Sequence, residues 1–163
     1  MQIEKQGNIF KLSSAQKIPI DINSAWEFIS SPSNLKVITP EYMGFDIVSE
    51  AEAKMYPGQL IQYIVKPMFG IKTRWVTEIT YVIDKEYFVD EQRFGPYDLW
   101  HHKHFIYPIE GGVEMIDTVH YKLPFSWIAN VFHGVLVLPR LKEIFKHREM
   151  KLIELFGEFP QVS

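Results

Sequence analysis

The sequence contains no cysteine. Disulfides, thiol nucleophiles and cysteine-based zinc sites are excluded at once, and a reducing cytoplasm is compatible with that absence. Excess positive charge is lacking too, with a formal net charge of −3 and a pI of about 6.1. No basic field exists to attract a polyanion, so nucleic acid is disfavoured as a partner. Long apolar runs are also missing. The longest, Trp127 to Pro139, is interrupted by Asn130 and His133 and is too short to span a bilayer. Stable membrane insertion is therefore not expected. Met1 to Lys17 carry no apolar stretch of the kind a signal peptide needs, and a cytoplasmic location is expected. Repeats, low-complexity tracts and linkers are absent. Residues 1–163 are expected to form a single domain, large enough to bury a core.

Aromatic residues are what the chain has in quantity: 12 Phe, 8 Tyr and 4 Trp. Such side chains suit a pleated surface and also line pockets. Ile9 to Ile20 reads as a first strand. Ser24 and Glu27 form a capping-box pattern at the start of a short helix that Pro32 ends, and Asn34 to Ile38 adds a second. From Phe45 the pattern changes to period two. Strands are expected at Phe45–Val48, Gln59–Lys66, Trp75–Ile83, Tyr87–Phe94, Tyr97–Tyr107 and Val113–Leu123, joined by turns at Asp84-Lys85, Gly95-Pro96 and Glu110-Gly111-Gly112. Trp75, Thr77, Ile79, Tyr81 and Ile83 should share a face. Phe125 to Gly157 reads as one long helix, kinked at Pro139, with Leu141, Ile144, Phe145, Leu152, Leu155 and Phe156 at three- and four-residue steps.

The expected class is α+β: an antiparallel sheet of six to seven strands, two short helices after the first strand, and a long C-terminal helix. One helix can cover so large a sheet only if the sheet curves around it. Curvature leaves a space that either fills with side chains or binds something.

A two-residue turn at Glu110-Gly111 would set His104 opposite Asp117, His102 opposite Val119 and Trp100 opposite Tyr121. Alternation then puts Asp98, Trp100, His102, His104, Met115, Asp117, Val119 and Tyr121 on one face. The other face carries His101, Lys103, Glu114, His120 and Lys122, a solvent-like set, so the first face should look toward the helix. Polar groups there need a reason, because unpaired burial is costly. Either His104, Asp117 and Tyr121 contact a ligand or act as acid and base, or they satisfy one another and hold the strands in register. Trp75, Phe132 and Val135 would complete the pocket wall. The Trp127–Leu138 stretch either packs on the sheet, gates the pocket or touches a membrane.

His102 and His104 lie about 7 Å apart by strand geometry, and with Asp117 they would make a two-histidine, one-carboxylate set. Neighbouring histidines on one strand have no required ligand spacing, and no fourth ligand is evident. Neither a metal nor a cofactor is expected. Nucleotide loops and nucleophile elbows are absent.

Three segments carry a family resemblance: Asp90-Glu-Gln-Arg-Phe-Gly-Pro-Tyr-Asp-Leu-Trp-His-His-Lys-His-Phe105, Asp117-Thr-Val-His-Tyr-Lys-Leu-Pro-Phe125 and Pro139-Arg-Leu-Lys-Glu-Ile-Phe-Lys-His-Arg148. Together with the element order they resemble the START-like superfamily, in its bacterial ligand-binding branch related to polyketide cyclases. The resemblance runs nearly end to end. It implies a helix-grip fold and an internal cavity for a hydrophobic or aromatic small molecule. Three functions stay open: a binding protein, an enzyme of the cyclase, aromatase or dehydratase kind using His104 or Tyr121, and a protein-interaction module without ligand.

Overall fold

A single curved sheet organises the chain. The computed structural model describes residues 1–49, 54–66, 71–124 and 133–160. Among them eight strands run antiparallel to their neighbours: β1 (Gln2–Gln6), β2 (Ile9–Ile18), β3 (Asp46–Ile47), β4 (Leu60–Val65), β5 (Thr73–Ile83), β6 (Tyr87–Phe94), β7 (Leu99–Ile109) and β8 (Gly112–Lys122). Their spatial order is β1-β2-β8-β7-β6-β5-β4-β3. The strand before β2 is one that the sequence did not announce, because its residues are almost all exposed and polar. The two short helices, α1 (Ile22–Ile29) and α2 (Pro32–Val37), consequently follow the second strand.

The cap of α1 is also corrected. Asp21, not Ser24, stands at the N-cap, and its carboxylate accepts from the backbone N–H of Asn23 and of Ser24. Ala25, Trp26 and Ile29 then form the buried side of α1, against Ile18, Phe88, Ile106 and Val113.

The final helix begins, within the described residues, as a π-helical turn at His133–Val137 and continues as α3 (Leu138–Phe156). The expected helical start at residues 125–132 lies outside the described residues. Pro139 falls in the first turn of α3, directly after the π-helical turn, and has no N–H to bond the carbonyls of that turn. It marks the change of helix type. Leu141, Arg148 and Leu152 are the buried residues of α3, whereas Leu155, expected on the apolar side, is 44% exposed.

Register shifts between β5 and β6 alter the expected face of β5. Thr77 and Ile79 point inward as expected. Beyond the shift Val82 joins the core and Tyr81 turns out, where it stacks on Tyr87. β7 and β8 show the expected pairing, His104 with Asp117, His102 with Val119 and Trp100 with Tyr121. Gly111 supports the turn with φ of 81°, and Gly112 is required by a close approach: a Cβ there would lie 2.1 Å from the Ile18 carbonyl oxygen.

Candidate functional site

A cavity of about 350 Å³ lies between the concave face of the sheet, α1, α2 and α3. Its wall is mostly apolar. Phe28, Leu35 and Ile38 close one side, Tyr63, Val65, Trp75 and Ile79 the sheet side, and Leu141, Ile144 and Phe145 the α3 side. Strand alternation produces the sheet wall, since Ile61, Tyr63 and Val65 recur at period two on β4 and are all buried. Trp75 meets Trp100 edge to face at 5.4 Å, and Tyr97 leans on both rings.

Asn34, Thr39, Thr77 and Arg140 add single polar groups, and one polar cluster interrupts the apolar wall, where Asp90, His102, His104 and Arg148 line the cavity. Asp90 reaches this face because it pairs with His102 across β6 and β7. His104 Nε2 is 2.7 Å from Asp90 Oδ2, and His102 Nδ1 is 3.5 Å from the same oxygen. Behind the rings, Asp117 Oδ1 lies 3.0 Å from His102 Nε2 and 3.1 Å from Arg148 Nη1. His104 Nδ1 is 2.9 Å from that oxygen, but off the line a hydrogen bond needs. The two imidazoles lie ring against ring at 3.6 Å, and Phe88 stacks on His104 at 4.2 Å. The result is a compact cluster of two carboxylates and two imidazoles, tied to α3 through Arg148.

Burial disfavours charge on every member, and the partners decide which charges survive. Burial would raise Asp117, but the Arg148 guanidinium and both histidines outweigh it and hold the carboxyl well below its usual range. Asp90 is likewise lowered against burial, by His102 and His104. Burial pushes His104 down, but Asp117 and Asp90 reverse this and raise it. Burial and the charge on His104 keep His102 lowered. Both carboxyls thus hold their charge more readily than usual, and of the two rings His104 binds a proton more readily than His102. One ligand atom from each of Asp90, His102 and His104 lies within 4.8 Å of the other two, so among the described residues these three could hold a metal ion.

The structure brings Trp75, Trp100, His102 and His104 to the cavity, as the sequence suggested. Asp117 and Met115 instead face a second hollow on the far side of the cluster, beside Gln16 and Glu149. Val119 is wholly buried among Phe10, Leu12, Leu123 and Leu141. Tyr121 is wholly buried as well and does not reach the cavity; its hydroxyl is 2.7 Å from His133 Nε2. Asp98 is turned away. It precedes β7, so strand alternation does not govern it, and it pairs with Lys122 at 3.2 Å while Tyr97 takes the inward place. Val135 is 68% exposed, and Leu136 and Val137 line the cavity instead. Phe132 lies outside the described residues. Asp90, Arg148 and His133 were missed. Arg148 stands seven residues after Leu141 on the apolar stripe of α3, and that spacing was the available signal.

An eight-stranded antiparallel sheet curved around a long C-terminal helix is a helix-grip architecture. Comparison with solved structures supports that class. TTHA0849 from Thermus thermophilus superposes with a TM-score of 0.65 at 16% identity, over 89% of this chain and 98% of that one. A protein from Arthrobacter aurescens gives 0.67 at 13% identity, over 94% and 91%. Ara h 8.0201 gives 0.59 at 14% identity, over 90% and 99%. At such identities the likeness concerns the fold. No family model matches the sequence, and no curated protein does. Among the described residues no helix is long and apolar enough to cross a membrane.

Proposed function

We propose that this chain is a START-like binding protein that holds an apolar or aromatic small molecule bearing one polar group. The observation that carries the proposal is the cavity: about 350 Å³, mostly apolar in its lining, with the Asp90, His102, His104 and Arg148 cluster on its wall. That volume lies within the range of small-molecule pockets, roughly 300–1,000 Å³. The apolar body of a ligand would lie along Trp75, Tyr63 and Ile79. Its polar group would meet Asp90, His102 and His104, which offer both donors and acceptors. Binding is favoured over acid–base catalysis because His104 Nε2, the ring nitrogen hydrogen-bonded in the site, is already taken by Asp90, and Nδ1 lies beside Asp117. A free acid or base would need a nitrogen aimed at the substrate.

Native mass spectrometry of the protein purified from its own host tests this. An added mass corresponding to a small apolar molecule is expected, and it should be lost when Thr77→Phe fills the cavity from β5. A protein that carries no adduct and takes up no apolar compound in solution would leave the protein-interaction reading in possession.

A further inference from the structure

The polar cluster on the cavity wall holds more donor atoms, more tightly grouped, than orientation of one ligand group requires. His104 Nε2 and His102 Nδ1 lie 2.7 and 3.5 Å from a single oxygen of Asp90. Metal–ligand bonds of about 2.0–2.2 Å place two ligand atoms of one ion roughly 3–3.5 Å apart. Two sides of the triangle thus fit one ion, and the third, between the two imidazoles, is no longer than 4.8 Å, which a small rotation of either ring would close. Of the remaining ring nitrogens, His102 Nε2 is hydrogen-bonded to Asp117 at 3.0 Å, and His104 Nδ1 lies 2.9 Å from the same oxygen, off the hydrogen-bond line. A carboxylate behind an imidazole fixes the orientation and tautomer of a metal-bound histidine. Arg148 anchors that carboxylate from α3 at 3.1 Å. Asp90, His102 and His104 line the cavity and Asp117 does not, so free coordination positions would open onto the ligand space.

We propose that Asp90, His102 and His104 form a binding site for a divalent first-row transition-metal ion, supported from behind by Asp117 and Arg148. Two imidazoles and one carboxylate suit zinc or ferrous iron, with the remaining positions left for water or a ligand oxygen. The sequence offered Asp117 as the carboxylate of the set, and no metal was expected because neighbouring histidines on a strand have no required ligand spacing and no fourth ligand was evident. The register of β6 against β7 gives that place to Asp90 and puts Asp117 behind both rings. In the metal-free protein the hydrogen bond between Asp90 and His104 keeps the two groups together. The inference does not rest on the apolar-ligand reading, since it is tested with metal alone.

The purified full chain is stripped with EDTA and titrated with Co²⁺, followed by its visible absorption, and then with Zn²⁺. One saturable Co²⁺ per chain is expected, displaced by an equivalent of Zn²⁺. Asp117→Asn should weaken binding about 10–100-fold, as for other supporting carboxylates. His104→Ala should abolish it, and His120→Gln on the convex face should leave it unchanged. Nitrogen NMR of labelled histidine rings in the wild-type chain keeps the test valid if a variant fails to fold. Zn²⁺ should shift His102 and His104 and spare His101 and His120. The proposal is overturned if the wild type shows no saturable Co²⁺ band, if His104→Ala binds as well as wild type, or if the zinc shifts fall on His101 and His120.

Discussion

His104 and His120 stand on adjacent strands and face opposite sides of one sheet. His104, on the concave side, is 6% exposed, while His120 on the convex side is half-buried. Burial pushes both imidazoles down. His120 goes lower still, because His101, Lys103 and Lys11 surround it with positive charge. His104 goes up, because Asp117 and Asp90 outweigh a larger desolvation. The more deeply buried ring is thus the one with the higher proton affinity. On this sheet the sign of the partner decides the charge, and burial decides how much a missing partner costs.

The comparison breaks most visibly at its ion pairs. Arg148→Met would leave the Asp117 carboxylate buried beside only its histidines, and a loss of about 3–5 kcal/mol is expected in urea unfolding. Lys122→Met removes the convex pair with Asp98, whose side chains are 30% and 42% exposed, and about 0–1 kcal/mol is expected. Similar losses for both would erase the distinction between the faces.

Tyr121→Phe comes next. Its hydroxyl meets His133 rather than the cavity, so about 1–3 kcal/mol of stability should go while affinity for an apolar probe stays unchanged. An affinity loss with an unchanged melting curve would return Tyr121 to the binding site, where the sequence had placed it.

Smaller effects concern pH, measured with EDTA present. The raised His104 favours the folded state below the ordinary histidine range, and that contribution disappears as pH rises through its folded value. The melting-temperature gap between wild type and His104→Gln should therefore be larger at pH 6 than at pH 9. His120 has the opposite sign: its lowered proton affinity costs stability as pH falls below the ordinary histidine value. His120→Gln should narrowly outlast wild type in acid and match it in alkali. A gap for His104→Gln that widens with pH would show that the carboxylates do not hold its proton.

Much of the concave face could be read from the chain. The tight turn at Glu110-Gly111 pins the register of β7 on β8, and period two then assigns every side chain between Leu99 and Lys122 to a face. The same logic failed where its premises failed. Asp98 precedes the strand, and Tyr81 lies past a register shift that period-two counting cannot see. Asp90 was hidden because four residues, 95–98, connect β6 to β7, and a loop of that length does not fix the pairing as a two-residue turn does. Arg148 was hidden because a charge on a helix is read as solvent-facing, although here a buried carboxylate on β8 waits for it. The N-cap was misplaced because two capping residues, Asp21 and Ser24, stand three apart, and the Asp21 side chain takes the Ser24 N–H and hydroxyl for itself.

Fluorescence titration with phenylnaphthylamine, a neutral apolar probe, tests most directly whether the sheet and α3 enclose a ligand space. Trp75 and Trp100 line the cavity and report on it from within. The account predicts one saturable site per chain, quenching of tryptophan emission in step with probe brightening, and loss of both in a folded Thr77→Phe variant. Binding that never saturates, or that persists undiminished in Thr77→Phe, would contradict it.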